Sequence, residues 1–275
     1  VKVSSSPIGK YRDTNRYPSR GWNAYHVVYQ DAQRWLKEGI HDALFPMMYF
    51  QGNNFYPFAL DWKENDGKRW IIPGLGIYFL SPREQDWPLD EIVRQIHFTR
   101  QIKLNGQAYF RNRFLLDNTK GVLDELEENF YTYPALIPPM TWSDSIPPSV
   151  PSHPSVQQIA NGKLRMSWQA SADNSNQSVV YHLYGSDTYP VDIKQPQNLI
   201  ATHLIANEYE YTAKLPWLQK RYFAVTAADR FGNESAPLTL NTVSDMDIPL
   251  LNKGNMLYLP ELKDCLLYTS DAADE

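Results

Sequence analysis

Cysteine occurs once in this chain of 275 residues, at Cys265, so no disulfide can form within it and no paired-thiol chemistry is available. The net charge is also small. A net charge of −5 gives no basic stripe for nucleic acid or an anionic membrane surface. No apolar run approaches the roughly 20 residues that span a bilayer. The six histidines (His26, His41, His97, His153, His182 and His203) lack ligand spacing, so no metal site is expected. A phosphate-cradling glycine loop is missing too. The two glycines of "GLGIYF" lie inside an apolar strand pattern with no helix N-terminus behind them. No cofactor is expected. What remains is a chain 43% hydrophobic and 13% aromatic, enough for one large or two medium domains.

Both ends read as irregular. "VKVSSSP" opens as a strand running into a loop, with no charged segment followed by an apolar one. A chain that starts in mid-strand is expected to lack its natural beginning. The last eleven residues, "CLLYTSDAADE" from Cys265 to Glu275, resemble one translated frame of a transposon adapter used in sequencing. They are expected not to belong to the natural protein and are set aside from fold reasoning. Without Asp271, Asp274 and Glu275 the net charge moves from −5 to −2, and no cysteine is left.

The first 130 or so residues alternate strand and helix signals. After the opening strand, "GWNAYHVVYQDAQRWLKEG" places Tyr25, Val28, Tyr29, Ala32, Trp35 and Leu36 at helical spacing, with Gly39 as the stop. "ALFPMMYF", "WIIPGLGIYFL" and "GQAYFRNRF" read as three further strands. Between them, "YPFALDWKEN" is a short helical stretch and "DWPLDEIVRQIHFTRQIKLNG" a longer helix. That helix turns Leu89, Ile92, Val93, Ile96 and Phe98 inward, with Asp90 and Glu91 in its first turn. A last helix, "DNTKGVLDELEENF", is capped by Asp117 or Asn118. Apolar strands separated by helices mark a parallel sheet. Four strands make half of a closed eight-stranded barrel.

"IPPMTWSDSIPPSVPSHP" breaks this pattern and reads as an interdomain linker. Beyond it, "KLRMSWQA", "SVVYHLYGSD", "NEYEYTA" and "KRYFAVTAADRFGNES" are short strands of an all-β sandwich of about 90 residues.

Two resemblances sharpen this outline. "KLRMSW", "VVYHLYGSD" and "LPWLQKRYFAVTAADRFGNESAP" resemble a fibronectin type III module. There Trp168 matches the core tryptophan, Leu215 and Tyr222 the tyrosine corner, and Gly232 with Ser235 the turn and following strand. "VSSSPIGKYRD", "GWNAYHVVYQDAQRWLKEGIHDALFPMMYF", "FYPFALDW", "IIPGLGIYFL", "WPLDEIVRQIHFTRQ", "GQAYFRNRFLLDN" and "YPALIPPMTW" resemble, in order, the C-terminal half of the glycosyl-hydrolase-like 10 family. The resemblance implies the following division. Residues 1–142 are the C-terminal half of a (β/α)8 TIM barrel, an α/β fold, and 143–154 a Pro-rich linker. Residues 155–243 are a fibronectin type III-like sandwich, 244–264 the start of a truncated β-domain, and 265–275 the adapter. It also implies a bacterial glycoside hydrolase whose partner is a polysaccharide or cell-wall glycan. The location implied is secreted, periplasmic or on the outer surface as a lipoprotein.

In such a barrel the site lies where the strands end at their C-terminal face. That selects Ser5, Ser6 and Pro7, then Tyr49, Phe50 and Gln51, then Tyr78 and Phe79, then Arg111, Asn112 and Arg113. Aromatic rings there suit the apolar C–H face of a pyranose. We therefore take Tyr49, Gln51, Tyr78, Arg111 and Asn112 as candidate substrate-binding residues. Core or supporting roles are the alternative for the tyrosines, and Met47 and Met48 are expected to pack the barrel. Arg111 either binds substrate or orients a carboxylate. Glycoside hydrolysis needs two carboxylates across the bond. Asp13, Asp61, Glu84 and Asp117 all fall in loops or helix starts rather than at strand ends. The catalytic residues are therefore left unassigned, and the resemblance places the acidic cluster upstream of Val1. The expected function is glycan hydrolysis, with this stretch lacking its acid or nucleophile. The alternative is a carbohydrate-binding or scaffolding protein on a degenerate barrel.

Overall fold

A computed structural model describes residues 1–18, 21–213 and 220–241. The chain forms two compact units, Val1–Thr132 and Tyr133–Glu275. Leu215, the expected truncated β-domain and the adapter-like tail lie outside the described residues.

The first unit mixes helices with short parallel strands. Strands β1 (Ser4–Ser5), β2 (Ala43–Leu44) and β3 (Trp70–Ile71) form one sheet in that order. Ser4 pairs with Ala43, and Ala43 with Trp70. β4 (Gly74–Leu75) pairs in parallel with β5 (Ala108–Tyr109). Bridges from Ile8 to Met47 and from Met47 to Gly74 carry the parallel order across the gap. Among the described residues no strand pairs with the far side of β1. The run "WIIPGLGIYFL", expected as one strand, is divided. Pro73 has no N–H to give the ladder, so β3 and β4 are separate. The backbone then tightens at Ile77–Leu80 into a 3-10 turn.

The helix expected over residues 22–39 is also two helices, α1 (Ala24–Val27) and α2 (Ala32–Lys37). Asn23 caps the first by accepting from His26 N at 2.8 Å. Tyr29 then enters the left-handed region at φ 57° and points out, 86% exposed. The neighbouring Gln30 explains the break, because its side-chain Oε1 accepts from Ile8 N just beyond β1 at 3.0 Å. Helix α3 (Tyr56–Glu64) matches its expected span, and α4 (Leu89–Gln101) lies within its own, shorter at both ends. α4 buries Ile92 and Ile96 as its spacing requires, but also Glu91, Gln95 and Thr99. Helix α5 (Arg113–Leu116) follows β5 directly, and α6 (Val122–Glu125) runs on into a wider turn at Leu126–Phe130. Gly121 is the N-cap of α6, while of the two expected caps Asn118 supplies an acceptor to its first turn, its Oδ1 accepting from Leu123 N at 2.9 Å. The core gathers Leu44, Met48, Phe55, Phe58, Trp62 and Ile71, all essentially inaccessible to solvent.

The second unit is built from two antiparallel sheets, the arrangement expected of the β-sandwich. One sheet is ordered β10 (Glu208–Thr212), β7 (Lys163–Gln169), β6 (Ser152–Ala160). The other is ordered β12 (Leu238–Thr239), β11 (Tyr222–Ala228), β8 (Val180–Ser186), β9 (Leu199–Leu204). Alternation works as the sequence implies. Leu164, Met166 and Trp168 of β7 face inward, and Trp168 meets Tyr181 edge-on at 5.3 Å. Tyr222, expected at a tyrosine corner, sets its ring 5.5 Å from Tyr189. The stretch expected as an open linker is bound to this unit at several points. Met140 is buried and its N donates to Phe231 O at 2.8 Å, while Asn233 Nδ2 donates to Asp144 O at 3.0 Å. The compact unit therefore starts before the Pro-rich run, because that run spends its polar groups on the β11–β12 turn.

The same sandwich buries a polar set. Glu234 accepts from Tyr184 Oη at 2.6 Å and Thr226 Oγ1 at 2.5 Å. His182 is 4% exposed and meets the His203 ring at 5.4 Å. Burial pulls the His182 imidazolium pKa down; Glu234 opposes this and His203 adds to it. A folded pKa below the usual value of about 6.5 means that the unfolded chain takes the proton first. Stability from this group is complete above that value and is lost as the pH falls through it. Urea midpoints of the sandwich transition should therefore drop between pH 7 and pH 5, and His182→Gln should flatten that drop. An equal drop in the variant would assign it to other groups.

Candidate functional site

The strand ends of the first unit carry a compact set of aromatic rings. Tyr49 lies beyond the Met47 bridge, Tyr78 on the 3-10 turn after β4, and Phe110 just past β5. Tyr49 and Phe110 stack, with centroids 5.2 Å apart and planes at 16°. Tyr78 stands perpendicular to both at 5.7 Å. Tyr78 N also donates to Phe110 O at 3.2 Å, tying the two strand ends together. Phe79 packs on Tyr78 at 4.0 Å and on buried Trp87 at 4.7 Å. Phe110 is 47% exposed, so the cluster keeps an open face.

The glycines of "PGLGIYF" make this possible. A Cβ on Gly74 would stand 3.2 Å from Tyr49 Cε1, and one on Gly76 would stand 3.1 Å from Tyr49 Cβ. Both are tighter than ordinary contacts. Tyr49 therefore lies flat against the strand because the strand has no side chains there.

Polar groups border the rings. Arg111 follows Phe110 through a cis peptide and lies over the Phe114 ring at 5.4 Å. Glu84, from the loop after the 3-10 turn, stands 3.9 Å from Arg111 Nη2. Burial raises the Tyr78 phenol pKa; the Glu84 charge adds to this and Arg111 opposes it. Burial also raises that of Tyr49, with Tyr78 adding to it. Both hydroxyls stay protonated at neutral pH and can donate a hydrogen bond. On α4, Gln95 Nε2 donates to Phe50 O at 2.9 Å and to Glu91 Oε1 at 2.9 Å, which fixes the backbone between Tyr49 and Gln51.

Of the residues selected from sequence, Tyr49, Tyr78 and Arg111 are thus brought together around Phe110. Gln51 is exposed and precedes a short 3-10 turn at Gly52–Asn54, and Asn112 is exposed at the start of α5. Phe110 and Glu84 were not selected. Phe110 is the third residue of "AYF", and strand alternation would have flagged it. Glu84 has no such signal, because its place depends on the course of a loop. Asp61 lies on α3, where its Oδ2 accepts from Gln33 Nε2 at 2.8 Å. Burial raises its carboxyl pKa, opposed first by that hydrogen bond. Asp117 pairs with Arg113 at 3.2 Å. Among the described residues no group of three or more His, Cys, Asp or Glu is placed to hold a metal ion.

The chain is 29% identical over 251 residues to the glycosyl hydrolase YngK of Bacillus subtilis (strain 168). It is distantly homologous to that glycosyl hydrolase. The match covers 86% of this chain and 48% of YngK, so the chain spans about half the length of its relative. No protein-family model matches the chain. Among solved structures, a bacterial orthologue of human α-L-iduronidase matches 35% of this chain and 15% of its own, at 18% identity and a TM-score of 0.26. The FN5 domain of Drosophila Lar matches 34% of this chain and 96% of its own, at 15% identity and a TM-score of 0.22. Among the described residues no helix is long and apolar enough to cross a membrane.

Proposed function

We propose that the first unit carries the sugar-binding face of a glycoside hydrolase acting on a polysaccharide or cell-wall glycan. The observation that carries this reading is the stacked pair Tyr49–Phe110 with Tyr78 upright beside it, at strand ends that also present Arg111. Homology to a glycosyl hydrolase supports the same chemistry. A pyranose would lay its C–H face on the exposed Phe110 ring, which Tyr49 backs, while phenol and guanidinium donors reach its hydroxyls. On this reading the parallel strands are half of a (β/α)8 barrel, and Gln51 and Asn112 line the rim. The sandwich acts as a spacer or platform, in a protein placed outside the cytoplasm.

Binding tests this reading directly. Chitotriose, an uncharged trimer of N-acetylglucosamine, is titrated calorimetrically into the chain and its variants. Tyr49→Ala or Tyr78→Ala should each weaken binding by roughly 1–3 kcal/mol, the worth of one buried aromatic side chain. Unchanged affinity in both variants would remove the aromatic face from the account.

A further inference from the structure

The loop that follows the 3-10 turn at Ile77–Leu80 brings an acid to a face otherwise marked by Arg111. Glu84 and Arg111 are 38% and 54% exposed and 3.9 Å apart, a distance of ion pairing without a hydrogen bond. The position of Glu84 is built rather than incidental. Lys120 Nζ donates to the carbonyls of Asp86 and Trp87 and pairs with the Asp86 carboxylate at 2.6 Å. Trp87 is buried beneath the same loop, and the Glu84 and Asp86 amides both donate to Ser81 O. Arg111 is steadied by the Phe114 ring. Among the described residues neither side chain makes a hydrogen bond, and both are partly exposed.

An uncompensated guanidinium on a sugar-binding face favours sugars that carry a carboxylate. Beside Glu84 the positive charge is balanced, and an incoming carboxylate meets a like charge. Neighbouring hydroxyls instead find an acceptor in Glu84 and donors in Arg111. We propose that Glu84 and Arg111 form a charge-compensated clamp that selects uncharged pyranoses over acidic ones at the aromatic face. The proposal rests on the glycan reading above and narrows its substrate class.

The test compares chitotriose with trigalacturonate, an acidic trimer, by calorimetry on the whole chain at one ionic strength. The parent should prefer chitotriose. Glu84→Gln should move the ratio of affinities toward trigalacturonate by about fivefold, the scale of a part-exposed charge pair. Glu84→Asp keeps the charge and should keep the parent ratio, which separates the clamp from a merely structural role of the loop. A parent that prefers trigalacturonate overturns the clamp. So does an unmoved ratio in Glu84→Gln while Tyr49→Ala weakens both sugars. If the parent binds neither sugar, or both tyrosine variants bind like the parent, the glycan reading falls and the clamp with it.

Discussion

Replacing Trp62 by alanine should cost the first unit about 3–5 kcal/mol, the range for deleting a large aromatic side chain from a core. Trp62 is completely buried, its indole N–H donates to Gly9 O at 2.7 Å, and its ring meets Tyr11 edge-on at 5.9 Å. The side chain joins α3 to the segment after β1, so its loss removes packing from two elements and strands a buried carbonyl. Trp62→Phe keeps most of the volume and should recover much of the loss. The measurement is the urea midpoint of the first unit's transition. A cost below about 1 kcal/mol, the level of an ordinary surface change, would mean that this core is not what holds the strand ends in place.

The second large effect is on turnover: this chain should release no reducing ends from glycan. Hydrolysis needs an acid and a second carboxylate across the bond, about 5–5.5 Å apart for retention and about 6.5–9.5 Å for inversion. Glu84 is the carboxylate that the structure brings beside Arg111, and Asp61 and Asp117 are engaged elsewhere by Gln33 and Arg113. Phenol and guanidinium are poor acids near neutral pH, so on the proposed reading the aromatic face would bind sugar without protonating the leaving oxygen. Measurable turnover would contradict this account. Glu84→Gln would then be the first variant to examine, followed by Asp61→Asn. An inactive chain that binds glycan also fits a carbohydrate-binding protein. A full barrel bearing a carboxylate pair over the same rings distinguishes the enzyme.

Much of this architecture was legible in the residues. Strand order followed from apolar runs separated by helical periods, and α4 announced itself through Ile92 and Ile96 at fourfold spacing. Alternation around Trp168 marked the sandwich. The parts that were not legible depend on tertiary partners. Gln30 breaks a periodic helix because its amide is claimed by Ile8, a residue 22 positions away. The Pro-rich stretch joins the sandwich because Phe231 and Asn233 offer partners for Met140 and Asp144. Tyr49, Tyr78 and Arg111 were selected because strand ends of a barrel are where sites form, and the rings do converge. Phe110 completes them through stacking that no spacing encodes. Glu84 reaches Arg111 because Lys120 and Trp87 shape its loop, a relation spread over nearly 40 residues of chain.

The central claim is that a sugar ring rests on the exposed face of Phe110, backed by the stacked Tyr49 ring, with Tyr78 upright at its side. Intermolecular nuclear Overhauser effects between chitotriose and the chain test it most directly. The account predicts contacts from sugar ring protons to the aromatic protons of Phe110 and Tyr78, weakened when the supporting Tyr49 is replaced by alanine. Contacts to the sandwich aromatics Tyr189 and Tyr222 alone, with none to the strand-end rings, would contradict it.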